Sequence, residues 1–192
     1  MKISKLGIAA FILLAAAAFF VTMLNMEFEQ KSIEVRESTQ GQMLSGRNGL
    51  NEGDTPPDFT ILTADGKNIT LSDFARENKP VLVYFMATWC PYCAADYAAL
   101  SKVYKEYEDK IVVLSISLDL SEDAGLLSDY KKKYPALEKM LIAPGQAKIL
   151  NDYKVIATTT KYALDKNGKI IFAGKGELEA EDWGVLLEEM LR

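Results

Sequence analysis

The chain has 192 residues, a net charge of -5, two cysteines and no histidine, and its 49% apolar fraction is enough for one packed domain plus an extension. The acidic balance argues against a nucleic-acid partner, whose phosphates are bound through clustered Lys and Arg. The absence of histidine removes the commonest general base, the commonest metal ligand and any Cys/His nucleophile pair.

Leu6 to Met26 is almost uninterrupted apolar sequence without a charge, and its 21 positions reach about 31 Å as a helix, roughly the thickness of a bilayer core. This segment, within residues 1–26, is expected to be a transmembrane anchor. A cleaved signal is the competing reading, but its apolar stretch is usually shorter and ends in a small-x-small site, whereas Ala15 to Ala18 lie mid-run here. Lys2 and Lys5 precede the run and Glu27 and Glu29 follow it, so either reading places the rest of the chain outside the cytoplasm. Residues 27–52 are polar and rich in Gly, Ser, Gln and Asn, which suits a flexible tether to a globular domain over 53–192.

Within that domain, Phe59 to Leu62 alternates as a short strand and is followed by the Asp65-Gly66 turn, pointing to a hairpin with Ile69 to Leu71. Ser72 and Asp73 can start a short helical turn before Lys79-Pro80. Val81 to Met86 is a continuous apolar run suited to a central strand buried on both faces. Ala94 to Tyr107 has helical spacing through Tyr97, Leu100, Tyr104 and Tyr107, and Ile111 to Leu118 reads as a second buried strand. Ser121-Glu122-Asp123 can cap a helix running to about Tyr134. A short strand near Met140 to Ala143, a helix over Gln146 to Asn151, an antiparallel pair of Lys161 to Leu164 with Lys169 to Ala173, and a closing amphipathic helix over Ala180 to Leu191 complete the pattern. The order predicts an α/β fold with a central mixed sheet flanked by helices.

The chemistry lies in Trp89-Cys90-Pro91-Tyr92-Cys93, where a buried strand gives way to a helix. Residues three apart share a helix face, so the two sulfurs can close into a disulfide with little backbone movement. Cys90 falls at the helix N-terminus, where unpaired N–H groups and the helix dipole favour its thiolate, and Pro91 suits the first turn. Cys90 is the expected attacking thiol and Cys93 the resolving one. A structural zinc site would need two further ligands, a purely structural disulfide across so small a loop would constrain the unfolded chain little, and an incidental buried pair remains the third alternative.

The stretch Gly53 to Leu187 resembles the thioredoxin superfamily, specifically its membrane-tethered TlpA/ResA-like branch. The resemblance rests on Gly53-Asp54-Thr55-Pro56-Pro57-Asp58-Phe59, Asp65-Gly66-Lys67, Leu71-Ser72-Asp73-Phe74 and the run from Pro80 to Cys93. It implies a thioredoxin-like fold with an added N-terminal hairpin, and reduction or exchange of protein disulfides without a bound cofactor, reset by a membrane electron donor. Cys90 and Cys93 match the family's dithiol, and Trp89 matches its flanking aromatic residue. Asp96 matches an acid often carried near the dithiol, able to tune the thiols or relay a proton; an exposed helical Asp is the bland alternative. Tyr84 stands where cytoplasmic thioredoxins carry a buried acid. Aligning Tyr162-Ala163-Leu164-Asp165 with the family's strand puts Thr159 where the family has a cis-proline, and no proline follows Pro144; without it the docking loop is expected to differ, and metal binding at the thiols gains weight.

Pro91-Tyr92 is the dipeptide seen in glutaredoxins, and Ala87 occupies the position where a peroxiredoxin would place Thr, which argues against peroxidase activity. Two other classes of function stand beside the oxidoreductase: a metal or iron-sulfur carrier that pools the cysteines of two chains, and a tethered binding module without turnover.

Overall fold

Residues 48–192 are described by a computed structural model and belong to one compact unit, Arg47–Arg192. The anchor and nearly all of the tether expected from the sequence lie outside the described residues.

The fold is organised around the apolar run after Pro80. Val81–Met86 forms β3, and all six of its residues are buried. It pairs in parallel with β4 (Val112–Ser117) and antiparallel with β6 (Thr160–Leu164). Short β5 (Leu141–Ala143) and β7 (Ile170–Gly174) extend the sheet to the order β5-β4-β3-β6-β7. Packed cores on both faces of the sheet explain why β3 reads as continuous rather than alternating hydrophobicity.

Side chains still alternate across the sheet with period two. Leu82, Tyr84 and Met86 pack on one face beneath α2 (Pro91–Leu100), α3 (Ala124–Lys131) and α5 (Ala180–Met190). Val81, Val83 and Phe85 pack on the other, with Leu71 of α1 (Leu71–Arg76), Ile149 of α4 (Ala147–Asp152) and Phe59 and Ile61. The last two belong to the segment around β1 (Thr60–Leu62), which forms a separate antiparallel pair with β2 (Asn68–Thr70). Trp183, Leu186, Leu187 and Met190 are the buried face of α5, as their helical spacing predicts.

Two helices are shorter than their periodicity suggests. The first ends at Leu100, and Tyr104–Glu106 makes a separate 3-10 turn. Tyr104 is nonetheless buried, with its hydroxyl donating to the carbonyl oxygen of Ile111. The apolar positions therefore report which residues are buried, while the break lets the chain turn back into β4. Similarly, α3 stops at Lys131 and a 3-10 turn covers Pro135–Leu137, since Pro135 disfavours helical geometry at Tyr134.

Candidate functional site

Cys90 is the N-cap of α2, with an extended backbone and Pro91 in the first turn. Its sulfur accepts the backbone N–H of Cys93 at 3.3 Å and makes a 3.2 Å hydrogen bond with the Thr158 hydroxyl. In the thiol the S–H donates to Thr158; in the thiolate the hydroxyl can turn and donate to sulfur. Both cysteines are free thiols.

Their environments push them apart. Burial works to raise the Cys90 pKa, but hydrogen bonds from Thr158, from the Cys93 thiol and from the N–H groups of Cys93 and Tyr92 outweigh it and hold the thiol below its ordinary value. Cys93 is completely buried, and burial, reinforced by its hydrogen bond to Cys90, pushes it up to about 11. One sulfur thus favours its thiolate while its neighbour keeps its proton.

Beneath Cys93 the acid expected at Asp96 is fully buried, which removes the exposed-helix alternative. Asp96 Oδ2 accepts from the Tyr84 hydroxyl at 2.9 Å and pairs with Lys161 Nζ at 2.9 Å, while Oδ1 accepts from the backbone N–H of Leu178 at 2.8 Å. The Tyr84 hydroxyl is also close enough to the Cys93 thiol to favour its thiolate, against the larger effect of burial. Burial, with Tyr97, Asp96 and Cys93 nearby, raises the Tyr84 pKa so far that the hydroxyl stays protonated. Tyr84 therefore connects the resolving thiol to the acid.

Lys161 was not legible from the sequence as a site residue. It lies one position into β6, directly opposite Tyr84 in the ladder, and cross-strand partners share a face. The signal available was a lysine opening an otherwise apolar strand; the register that turns it inward belongs to the sheet. Thr158 was missed for a similar reason, because its contact with Cys90 spans 68 positions of chain.

Thr159 adopts a left-handed backbone with φ of 61°, and no peptide bond among the described residues is cis. Its hydroxyl donates to the Thr158 carbonyl oxygen at 2.6 Å and accepts from the Gly176 N–H at 3.0 Å. The loop that the family shapes with proline is here tied by hydrogen bonds, presenting Thr158 to the sulfur. On the opposite side, Trp89 and Tyr92 are exposed, with the Trp89 indole N–H donating to Asp119 Oδ2 at 2.9 Å. The loop is further fixed by buried Glu122, which accepts from the Thr88 N–H, the Thr88 hydroxyl and the Ser117 hydroxyl. Among the described residues no group of three or more Cys, Asp or Glu side chains is placed to hold a metal ion. None of their helices is long and apolar enough to cross a membrane.

Residues 53–173 match the AhpC/TSA family. Thiol-disulfide oxidoreductase ResA of Bacillus thuringiensis subsp. konkukian (strain 97-27) is 33% identical over 140 residues, covering 73% of this chain and 76% of the relative. Thioredoxin-like protein YneN of Bacillus subtilis (strain 168) is 32% identical over 127 residues, covering 64% and 70%. The thioredoxin domain of a thiol-disulfide oxidoreductase from Bacteroides vulgatus superposes with a TM-score of 0.61 at 22% identity, over 75% of this chain and 100% of that domain, which establishes the shared fold. With the dithiol at the strand-to-helix junction of that fold, the chain belongs to the AhpC/TSA family, in the thioredoxin-like group that includes ResA and YneN.

Proposed function

We propose that the chain is an extracytoplasmic, membrane-tethered thiol-disulfide oxidoreductase that reduces or exchanges disulfides of protein substrates. The observation that carries the reading is the asymmetric pair: Cys90 capping α2 with its pKa lowered, and Cys93 behind it raised to about 11. The curated relatives bear oxidoreductase and thioredoxin-like names. The tether rests on the apolar run of Leu6 to Met26 and its flanking charges.

The Cys90 thiolate attacks a substrate disulfide, giving a mixed disulfide and releasing one substrate thiolate. Cys93 then gives up its proton and attacks the Cys90 sulfur. The second substrate thiolate leaves, and the dithiol is left oxidised. Asp96 is the proton acceptor, reached through the Tyr84 hydroxyl. Thr158 supports the Cys90 thiolate, while the exposed rings of Trp89 and Tyr92 offer substrate an apolar surface beside the sulfur. Thr159 holds the docking loop in its left-handed turn. A membrane protein delivering cytoplasmic electrons returns the pair to dithiol form.

Replacing the resolving thiol tests the assignment. Cys93→Ser is expected to accumulate substrate proteins linked through Cys90, resolved on non-reducing gels and released by dithiothreitol; Cys90→Ser is expected to accumulate none. A Cys93→Ser protein that forms no adducts with disulfide-bearing substrate overturns the reading. The reduction potential of a soluble chain lacking residues 1–26 then decides direction: a value near or below about -270 mV identifies a reductase, and one nearer about -120 mV an oxidase.

A further inference from the structure

A lysine and an aspartate sealed together inside a core need a reason beyond stability. Withdrawing both charges from water is costly, and apolar residues of similar volume commonly serve a fold as well. Lys161 is 1% exposed, and its ammonium reaches three kinds of partner: Asp96 Oδ2, the Gly176 carbonyl oxygen, and the rings of Tyr84 and Trp183, each 5.3 Å from the nitrogen. The oxygen it pairs with is the one that accepts from Tyr84. Cation, carboxylate and phenol thus converge on a single oxygen atom behind the resolving thiol.

We propose that Lys161 is a positioning residue for the resolving half of the cycle, its ammonium holding the Asp96 carboxylate aimed to take the Cys93 proton through Tyr84. The inference rests on the oxidoreductase reading above and adds to it the device that makes the buried acid usable. Without the ammonium on Oδ2, the carboxylate loses one of the contacts that keep this oxygen turned toward the Tyr84 hydroxyl. The groups facing the pair are few. Tyr84 comes from β3, Cys93 and Tyr97 from α2, and the Trp183 ring from α5, while Lys175, Glu177 and Glu179 of the connecting loop are exposed. Tyr97 directs its hydroxyl to Ser115 rather than to the pair. Among the described residues, Lys161 is therefore the one buried cation that faces Asp96.

Ellman's reagent separates the two halves of the cycle. The Cys90 thiolate attacks its disulfide and expels one equivalent of thionitrobenzoate. Cys93 passes its proton to Asp96, attacks the Cys90 sulfur and expels the second equivalent, so two electrons leave the dithiol as one disulfide breaks and another forms. In stopped flow, Lys161→Gln is expected to keep the first phase and slow the second about 100-fold at pH 7, the low end of what a positioned general base contributes. Asp96→Asn is expected to slow the second phase similarly, and the double variant no further, because the two residues act as a unit.

A second phase within threefold of wild type in folded Lys161→Gln overturns the proposal. So does a double variant that recovers the wild-type rate along with its melting temperature, since that is what a purely structural ion pair gives. Should Lys161→Gln fail to fold, the double variant decides: its second phase is expected to climb with pH as an unassisted thiol does, and a wild-type pH profile overturns the proposal. Failure of the oxidoreductase reading shows separately, as the loss of any fast first phase in the unaltered protein.

Discussion

Cys90 and Cys93 are the same residue type three positions apart, and what separates them chemically is the set of atoms around each sulfur. Cys90 gathers donors, from the Thr158 hydroxyl and from N–H groups at the helix start, while Cys93 is enclosed by apolar side chains. The fraction of Cys90 present as thiolate grows as pH rises through its lowered pKa, so alkylation by iodoacetamide is expected to reach half its maximal rate at a lower pH than for an ordinary cysteine. Cys93 should resist until about pH 11. Thr158→Val removes a donor to the anion and moves the Cys90 curve to higher pH. A hydrogen bond to a charged group contributes about 1.5 kcal/mol or more, so alkylation at pH 7 is expected to fall about tenfold, as followed by mass spectrometry of the modified peptide. Asp96 illustrates how far local pattern reaches: its spacing from Cys93 put both on one helix face, but whether that face met water or core depended on Tyr84 and Lys161, which other strands supply.

At the scale of elements, the site is a junction between the end of β3 and the start of α2, and the loops around it keep it in register. Glu122, just ahead of α3, accepts three hydrogen bonds from Thr88 and Ser117 and so joins the loop before the dithiol to the end of β4. Glu122→Ala leaves the half-buried Thr88 N–H and hydroxyl without this acceptor, while Ser117 keeps the Asp119 carbonyl oxygen, and is expected to cost on the order of 2 kcal/mol, read as a shift in the urea midpoint. The sequence pointed to Glu122 only as part of a helix cap; Asp123 is the residue that caps α3, accepting the Leu126 N–H at 2.8 Å. Adjacent acids with opposite fates are hard to tell apart along a chain, because each offers the same carboxylate. Gly145 shows a comparable constraint, since an added Cβ there would collide with the Ser117 carbonyl oxygen.

For the whole molecule, the described unit has a packed core on both faces of its sheet. Removing residues 1–26 is expected to move the protein from the membrane to the soluble fraction while leaving its melting temperature within about 2 °C, as scanning calorimetry of both forms would show. A melting temperature lowered much beyond that would mean the segment packs on the domain. Hydrophobic periodicity is local, so the strands and helices could be located along the chain, though not where the helices that start at Pro91 and Ala124 end, and strand, Cys-x-x-Cys and helix in direct succession pointed to the Cys90/Cys93 pair. The folded chain supplied the rest: Thr158 beside the Cys90 sulfur, a left-handed turn at Thr159 where the family carries a proline, and Lys161 against Asp96. Strand register turns Lys161 onto the face of Tyr84, and the turn leading into β6 brings Thr158 to the Cys90 sulfur; both depend on neighbours far away along the chain.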